Sequence, residues 1–299
     1  MTKKLLATDS FFMKDENLSK LIDAGYDVIH LDLPAATEEQ LIEAIKEVSV
    51  YILGGIEQVT EAVINAANSL EAIIFCGVDY DKFIPGASLA ESKGIKIFNA
   101  PGVNVVAVAE FAIGTALLMQ RQLIGVSRSG DKQYLSTESI QGSTIGVIGA
   151  GNIGQKIIEC ILPFAPKEII FFNRSPQDIS SARQVMIEEL VAVSDIIFLA
   201  LPMKAGLVLG AELVSKLKRG MLLVSISPMN LIDPKSFSSR LLAGEIRAVI
   251  DWPAPSDELT SLPLETFYTV NSHSAYNTKQ AIYLVAEDVT NKAISLINN

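Results

Sequence analysis

The chain of 299 residues is poor in cysteine, in histidine and in basic side chains, and no long apolar run passes uninterrupted. Its two cysteines, Cys76 and Cys160, cannot build a disulfide framework. No Cys-x-x-Cys pair or Cys/His cluster offers a zinc site, so a reducing, cytoplasmic setting without a metal is expected. Lys plus Arg number 24 against 34 Asp plus Glu, a net charge of −10. A phosphate polymer or an anionic bilayer would be repelled, so neither nucleic acid nor membrane is expected as a partner. A small anion in a local pocket stays compatible with that balance. The greasiest region, 105–119, is broken by Glu110, Gly114 and Thr115 and is too short to span a bilayer. Asp9 interrupts the apolar residues near the start, and no signal peptide is read there. What is abundant is apolar material, 49% against 19% charged, enough for a large core spread over about two domains.

Short apolar runs alternate with helical patterns. Strands are expected at 27–31, 50–53, 72–75 and 95–98, with helices following Thr37 (a Thr-x-x-Gln capping box with Gln40) and over 61–67. A breaker cluster, Asn99-Ala100-Pro101-Gly102, precedes an apolar helix over 105–121. A polar stretch over 127–142 marks a domain edge. Further strands are expected at 144–149, 168–173, 195–201, 221–225, 247–251 and 268–271, with a closing helix over 279–297. Strands separated by helices imply βαβ units and parallel sheets, an α/β fold. The closing helix is expected to return to the first domain.

Ile145-Gly146-Val147-Ile148-Gly149-Ala150-Gly151-Asn152-Ile153-Gly154 reads as a strand entering Gly-x-Gly-x-x-Gly and then a helix. Gly149 permits the tight turn, Gly151 lets backbone approach a pyrophosphate, and Gly154 lets helix and strand pack closely. The bare N–H groups at the helix start favour an anion. A tight turn without a ligand would use the same glycines. NAD sites place a carboxylate about 20 residues further on, at the end of the second strand. Here the text is Phe172-Asn173-Arg174-Ser175. No carboxylate repels a 2′-phosphate and Arg174 can pair with one, which favours NADP over NAD. The other reading leaves Arg174 solvated and Asn173 on an unphosphorylated ribose.

Gly77-Val78-Asp79, Gly94-Ile95, the 99–104 cluster, Ala107-Val108-Ala109-Glu110, the glycine turn, Leu201-Pro202, Gly220, Asp233, Asp251 and His273 together resemble the D-2-hydroxyacid dehydrogenase family over almost the whole chain. The resemblance implies two Rossmann-like domains with parallel sheets, substrate and nicotinamide in the cleft between them, and a homodimer formed mainly through the cofactor domain. The substrate domain reads as 1–98 plus 280–299 and the dinucleotide domain as 99–279. Cofactor-binding positions are Gly149, Gly151, Asn152, Ile153, Gly154, Asn173, Arg174, Ser175, Leu201, Pro202, Ile226 and Asp251. The implied reaction is reversible hydride transfer between nicotinamide and a small anionic 2-hydroxy or 2-oxo acid. In the family a His is the acid/base, a Glu orients it, and an Arg clamps the substrate.

His273 matches the acid/base, and imidazole exchanges protons near neutral pH. The only other histidine, His30, reads as structural. Two partners do not match. Pro228 stands at the Arg position, and the segment after Asp251, Trp252-Pro253-Ala254-Pro255, is shortened and holds no carboxylate before Asp257. Without a carboxylate partner, His273 is expected to titrate near its free value of roughly 6.5. Lys204 or Asn230 is a candidate replacement clamp, the backbone N–H groups of Gly77 and Val78 are candidates for holding an anion, and Tyr276 either donates a proton or fills space. The leading expectation is an oxidoreductase with a rewired pocket. The alternative is a weak or inactive NADP(H)-binding protein.

Overall fold

β-branched and aromatic runs pair into two parallel sheets in the computed structural model, which describes residues 2–9, 11–124 and 136–297. The chain divides into two compact units, Met1–Asn104 with Thr278–Asn299, and Val105–Asn277. Of the polar stretch expected over 127–142, residues 127–135 lie outside the described residues.

The first unit holds β1 (Lys4–Thr8), β2 (Asp27–Leu31), β3 (Val50–Leu53), β4 (Ala72–Phe75) and β5 (Lys96–Phe98). They are ordered β2-β1-β3-β4-β5, every pair parallel. Val50–Leu53 and Ala72–Phe75 are buried at every position, as strands covered on both faces require. The capping box at Thr37 forms: Gln40 N–H donates to Thr37 Oγ1 (3.3 Å) and Thr37 N–H to Gln40 Oε1 (2.8 Å). The helix Lys279–Ile297 completes this unit. Its Val285, Val289 and Ala293 enter the core beside Leu5, Leu21 and Tyr26, and Tyr26 OH donates to Ala293 O at 2.7 Å.

The second unit holds β6 (Thr144–Ile148), β7 (Glu168–Phe172), β8 (Arg183–Gln184), β9 (Ile196–Leu199), β10 (Leu222–Ser225), β11 (Arg247–Ile250) and β12 (Phe267–Thr269). The order is β12-β11-β10-β9-β6-β7-β8, again all parallel. The chain winds outward from β6 in one direction and restarts at β9 in the other. The end of β6 is therefore the topological switch point, where open α/β sheets bind ligands. The apolar helix Val105–Gln120 lies in the core of this unit, where Ala109, Ala112 and Ala116 permit close approach to the helix Asn152–Ile161. No helix among the described residues is long and apolar enough to cross a membrane.

Several strands expected to run to Gly149, Asn173, Leu201, Asp251 and Asn271 stop one or two residues earlier. The physical cause is visible at two of them. Gly149 has φ +98° and Asn271 φ +53°, conformations that end a strand. The residues released from pairing at this edge are those that build the site.

Candidate functional site

The glycine turn lies at the end of β6. Gly149 takes a positive φ, and a Cβ there would meet Ala200 O at 2.5 Å. At Gly154 a Cβ would fall 1.9 Å from Gly149 O, so helix and strand touch where no side chain fits. Gly151 differs. It caps the helix Asn152–Ile161 in extended conformation, and a Cβ there would meet nothing within 4 Å. No side chain caps this helix. The N–H groups of Gly151, Asn152 and Ile153 donate to no protein acceptor among the described residues. An open approach, unpaired amides and the positive end of a helix fit the diphosphate of a dinucleotide.

The end of β7 lies beside that turn. Asn173 Oδ1 accepts from Ala150 N–H at 3.4 Å, and Asn173 Nδ2 donates to Ser175 O and Ser175 Oγ, both at 3.1 Å. Gln184 braces the same corner, donating to Asn173 O at 3.0 Å. Arg174 is exposed. Asn173, Arg174 and Ser175 thus form one corner with no acidic side chain in it, a surface that tolerates either a ribose hydroxyl pair or a phosphate.

Across the switch point, Leu201 packs on the glycine turn, its Cδ2 2.6 Å from where a Gly149 Cβ would be. Ser227 is buried and links two strand ends: its hydroxyl donates to Leu199 O (3.0 Å) and accepts from Leu201 N–H (2.7 Å). Ile226 is part of the core. Pro202 and Lys204 are exposed. Asn230 Nδ2 donates to Met203 O at 3.2 Å, tying two short turns together. Its amide therefore has a structural task. Pro228 caps the turn Met229–Leu231 and offers no side-chain donor.

His273 lies beyond β12, and its side chain is 46% exposed. Contrary to expectation, it has a carboxylate partner. Asp251, at the end of the neighbouring strand β11 and fully buried, places Oδ2 3.1 Å from His273 Nδ1. The premise of an imidazole without a carboxylate partner is corrected accordingly. Adjacent parallel strands β11 and β12 bring Asp251 and His273 to one edge, so the partner is not a glutamate further along the chain. Trp252 stacks on the imidazole, with centroids 4.4 Å apart and planes at 23°. Tyr276 lies 5.3 Å away at 50°. Burial first, then the charge of Asp251, raises the Tyr276 phenol above its ordinary value, so it keeps its proton at neutral pH. Trp252 and Ser227 were missed as site residues. Their signal was position just past a strand end on the ligand-binding edge.

Gly77 and Val78 belong to the first unit, directly past β4. Gly77 O accepts from Ala100 N–H at 2.8 Å and Val78 O from Asn99 Nδ2 at 2.5 Å. The N–H groups of both residues lack a protein acceptor among the described residues. Cys76 is buried, and burial, then Asp9 and Glu57, push its thiol well above the ordinary range. It is a small core residue rather than a nucleophile. His30 Nε2 lies 2.8 Å from Asp9 O, a structural contact.

Residues 113–274 match the family model described as D-isomer specific 2-hydroxyacid dehydrogenase, NAD binding domain. The D-3-phosphoglycerate dehydrogenase of Escherichia coli is 31% identical over 309 aligned positions, covering 94% of this chain and 72% of that protein. The hydroxypyruvate reductase of Thermotoga maritima is 28% identical over 233, covering 74% of this chain and 76% of that protein. Among solved structures, the NAD+-bound 3-phosphoglycerate dehydrogenase of Entamoeba histolytica is 19% identical and superposes with a TM-score of 0.82 over 100% of this chain and 96% of that one. That last likeness is one of fold.

Proposed function

The chain belongs to the D-isomer specific 2-hydroxyacid dehydrogenases, oxidoreductases with a NAD-binding domain, and from that premise we propose that it acts on a small anionic 2-hydroxy or 2-oxo acid with His273 as acid/base and NADP as its preferred dinucleotide. The observation that carries the reading is the half-exposed imidazole of His273, on the same sheet edge as the unpaired amides of Gly151, Asn152 and Ile153. The dinucleotide, when bound, supplies or accepts the hydride. In the direction of reduction, His273 gives a proton to the substrate oxygen as the carbonyl carbon receives the hydride, and a hydroxyl results. In the direction of oxidation the imidazole takes that proton back. Gly151, Asn152 and Ile153 hold the diphosphate, and the Asn173–Ser175 corner receives the adenosine ribose.

Turnover is tested by the absorbance of reduced nicotinamide with glyoxylate, hydroxypyruvate, pyruvate and bulkier 2-oxo acids. A signal with at least one acid supports the reading, and silence across the panel with both dinucleotides contradicts it. Pro228 offers neither charge nor donor for the substrate carboxylate, so turnover on the smallest acids is expected to be slow.

The preference for NADP rests on Arg174 beside a corner without carboxylates. Arg174→Ala is expected to weaken NADPH binding about tenfold, the scale of one charge-assisted contact at an exposed site. NADH binding should be unchanged. Fluorescence titration with both dinucleotides reads this directly, and wild-type protein that binds NADH far better than NADPH contradicts it.

A further inference from the structure

Asp251 is buried completely, yet its carboxylate is the most heavily used acceptor of the site. Oδ1 accepts from Ser274 N–H at 2.9 Å and Ala275 N–H at 3.0 Å, and Oδ2 lies 3.0 Å from the same Ala275 N–H and 3.1 Å from His273 Nδ1. Backbone amides only donate, so both oxygens are fixed as acceptors. The nitrogen facing Oδ2 must then be the donor, which assigns the proton of the neutral imidazole to Nδ1. The other ring nitrogen, Nε2, makes no hydrogen bond to the described residues. Trp252 fixes the plane of the ring by stacking. Its own Nε1 is buried with no hydrogen-bond partner among the described residues, so the indole is placed for its face and not for its donor.

We propose that Asp251 is the positioning residue of His273: its buried carboxylate holds the imidazole in the Nδ1–H tautomer and leaves Nε2 to exchange the substrate proton. This rests on His273 being the acid/base of the proposed reaction. It supplies, from the end of β11, the carboxylate that the shortened segment after Asp251 lacks. It also assigns Asp251 to the histidine rather than to the cofactor. A carboxylate that only shaped the 272–275 turn would influence stability but would leave the tautomer and the rate indifferent to its charge.

Heteronuclear NMR of the imidazole nitrogens separates the two, and the spectrum has only two histidines to assign. The His273 signals are those lost in His273→Ala. The wild-type ring, neutral, is expected to carry its proton on Nδ1. In Asp251→Asn, the Ser274 and Ala275 amides keep the side-chain oxygen. The new NH2 group then faces Nδ1, and the ring must switch to the Nε2–H tautomer. The turnover number should fall about 10²–10⁴-fold, the scale on which a wrong tautomer or a lost acid/base is felt, with dinucleotide affinity retained. A wild-type ring protonated on Nε2 overturns the proposal even where the variant fails to fold. So does an Asp251→Asn protein with unchanged tautomer and rate. Turnover that survives His273→Ala overturns the acid/base reading and this inference together, whereas a His273-dependent enzyme with an Nε2–H ring overturns this inference alone.

Discussion

Gly151→Asp is expected to leave the protein folded and to abolish dinucleotide binding. Gly151 has φ −75° and ψ −165°, values open to any residue, and a side chain there meets nothing within 4 Å. Asp is moreover a good N-cap residue, so stability should move by about 0.5 kcal/mol or less. The same carboxylate would take the N–H groups that hold the diphosphate and set like charges about 4 Å apart. At an effective dielectric of about 20 that repulsion is about 4 kcal/mol, about a thousandfold in Kd. Gly154→Ala provides the contrast. Its Cβ would press on Gly149 O, backbone that has nowhere to go, and overpacking of this kind costs about 1–3 kcal/mol of stability. Urea midpoints and NADPH titrations on both variants separate a glycine kept for the ligand from one kept for the fold. Equal loss of stability in the two would contradict the assignment of Gly151 to ligand binding.

His273→Ala is the second large effect. Removal of a positioned acid/base should lower the turnover number about 10²–10⁴-fold. The structural cost should be small. The side chain is half-exposed, and the stack on Trp252 is worth about 0.5–1.5 kcal/mol. Asp251 keeps three amide contacts, to Ser274 and Ala275, after the imidazole is gone. The dinucleotide Kd should not change, because the amides of Gly151, Asn152 and Ile153 lie at the end of β6, at the switch point of the sheet. A variant as active as wild type would remove His273 from the chemistry.

Much of the fold is legible in the residues because parallel strands buried on both faces read as unbroken apolar runs. Val50–Leu53, Ala72–Phe75 and the helix Lys279–Ile297 fall where the pattern places them. β1 pairs with both β2 and β3, yet its apolar part is only Leu5-Leu6-Ala7 between a lysine pair and Asp9, too short a run for periodicity to tell a strand from a helical turn. β8 has two residues and lies below the length at which alternation means anything. The glycine turn was legible because each glycine has a separate reason: Gly149 a positive φ, Gly154 close packing on the turn, and Gly151 an open approach to the helix amides. The link between Asp251 and His273 was not, because it spans 22 residues and depends on β11 and β12 being neighbours. Neighbour relations in a parallel sheet follow from how the chain crosses over, and no local pattern records them. Asn230, a candidate clamp in the sequence though a residue type commoner in turns, donates to Met203 O and so serves as a turn residue.

The most direct measurement is a fluorescence titration of the wild-type chain with NADPH and with NADH, before any substrate is added. Saturable binding, tighter for NADPH and lost in Gly151→Asp, is the predicted result. A chain that is folded by circular dichroism and binds neither dinucleotide would contradict the assignment of the amides at 151–153 to a diphosphate, and with it the chemistry assigned to His273.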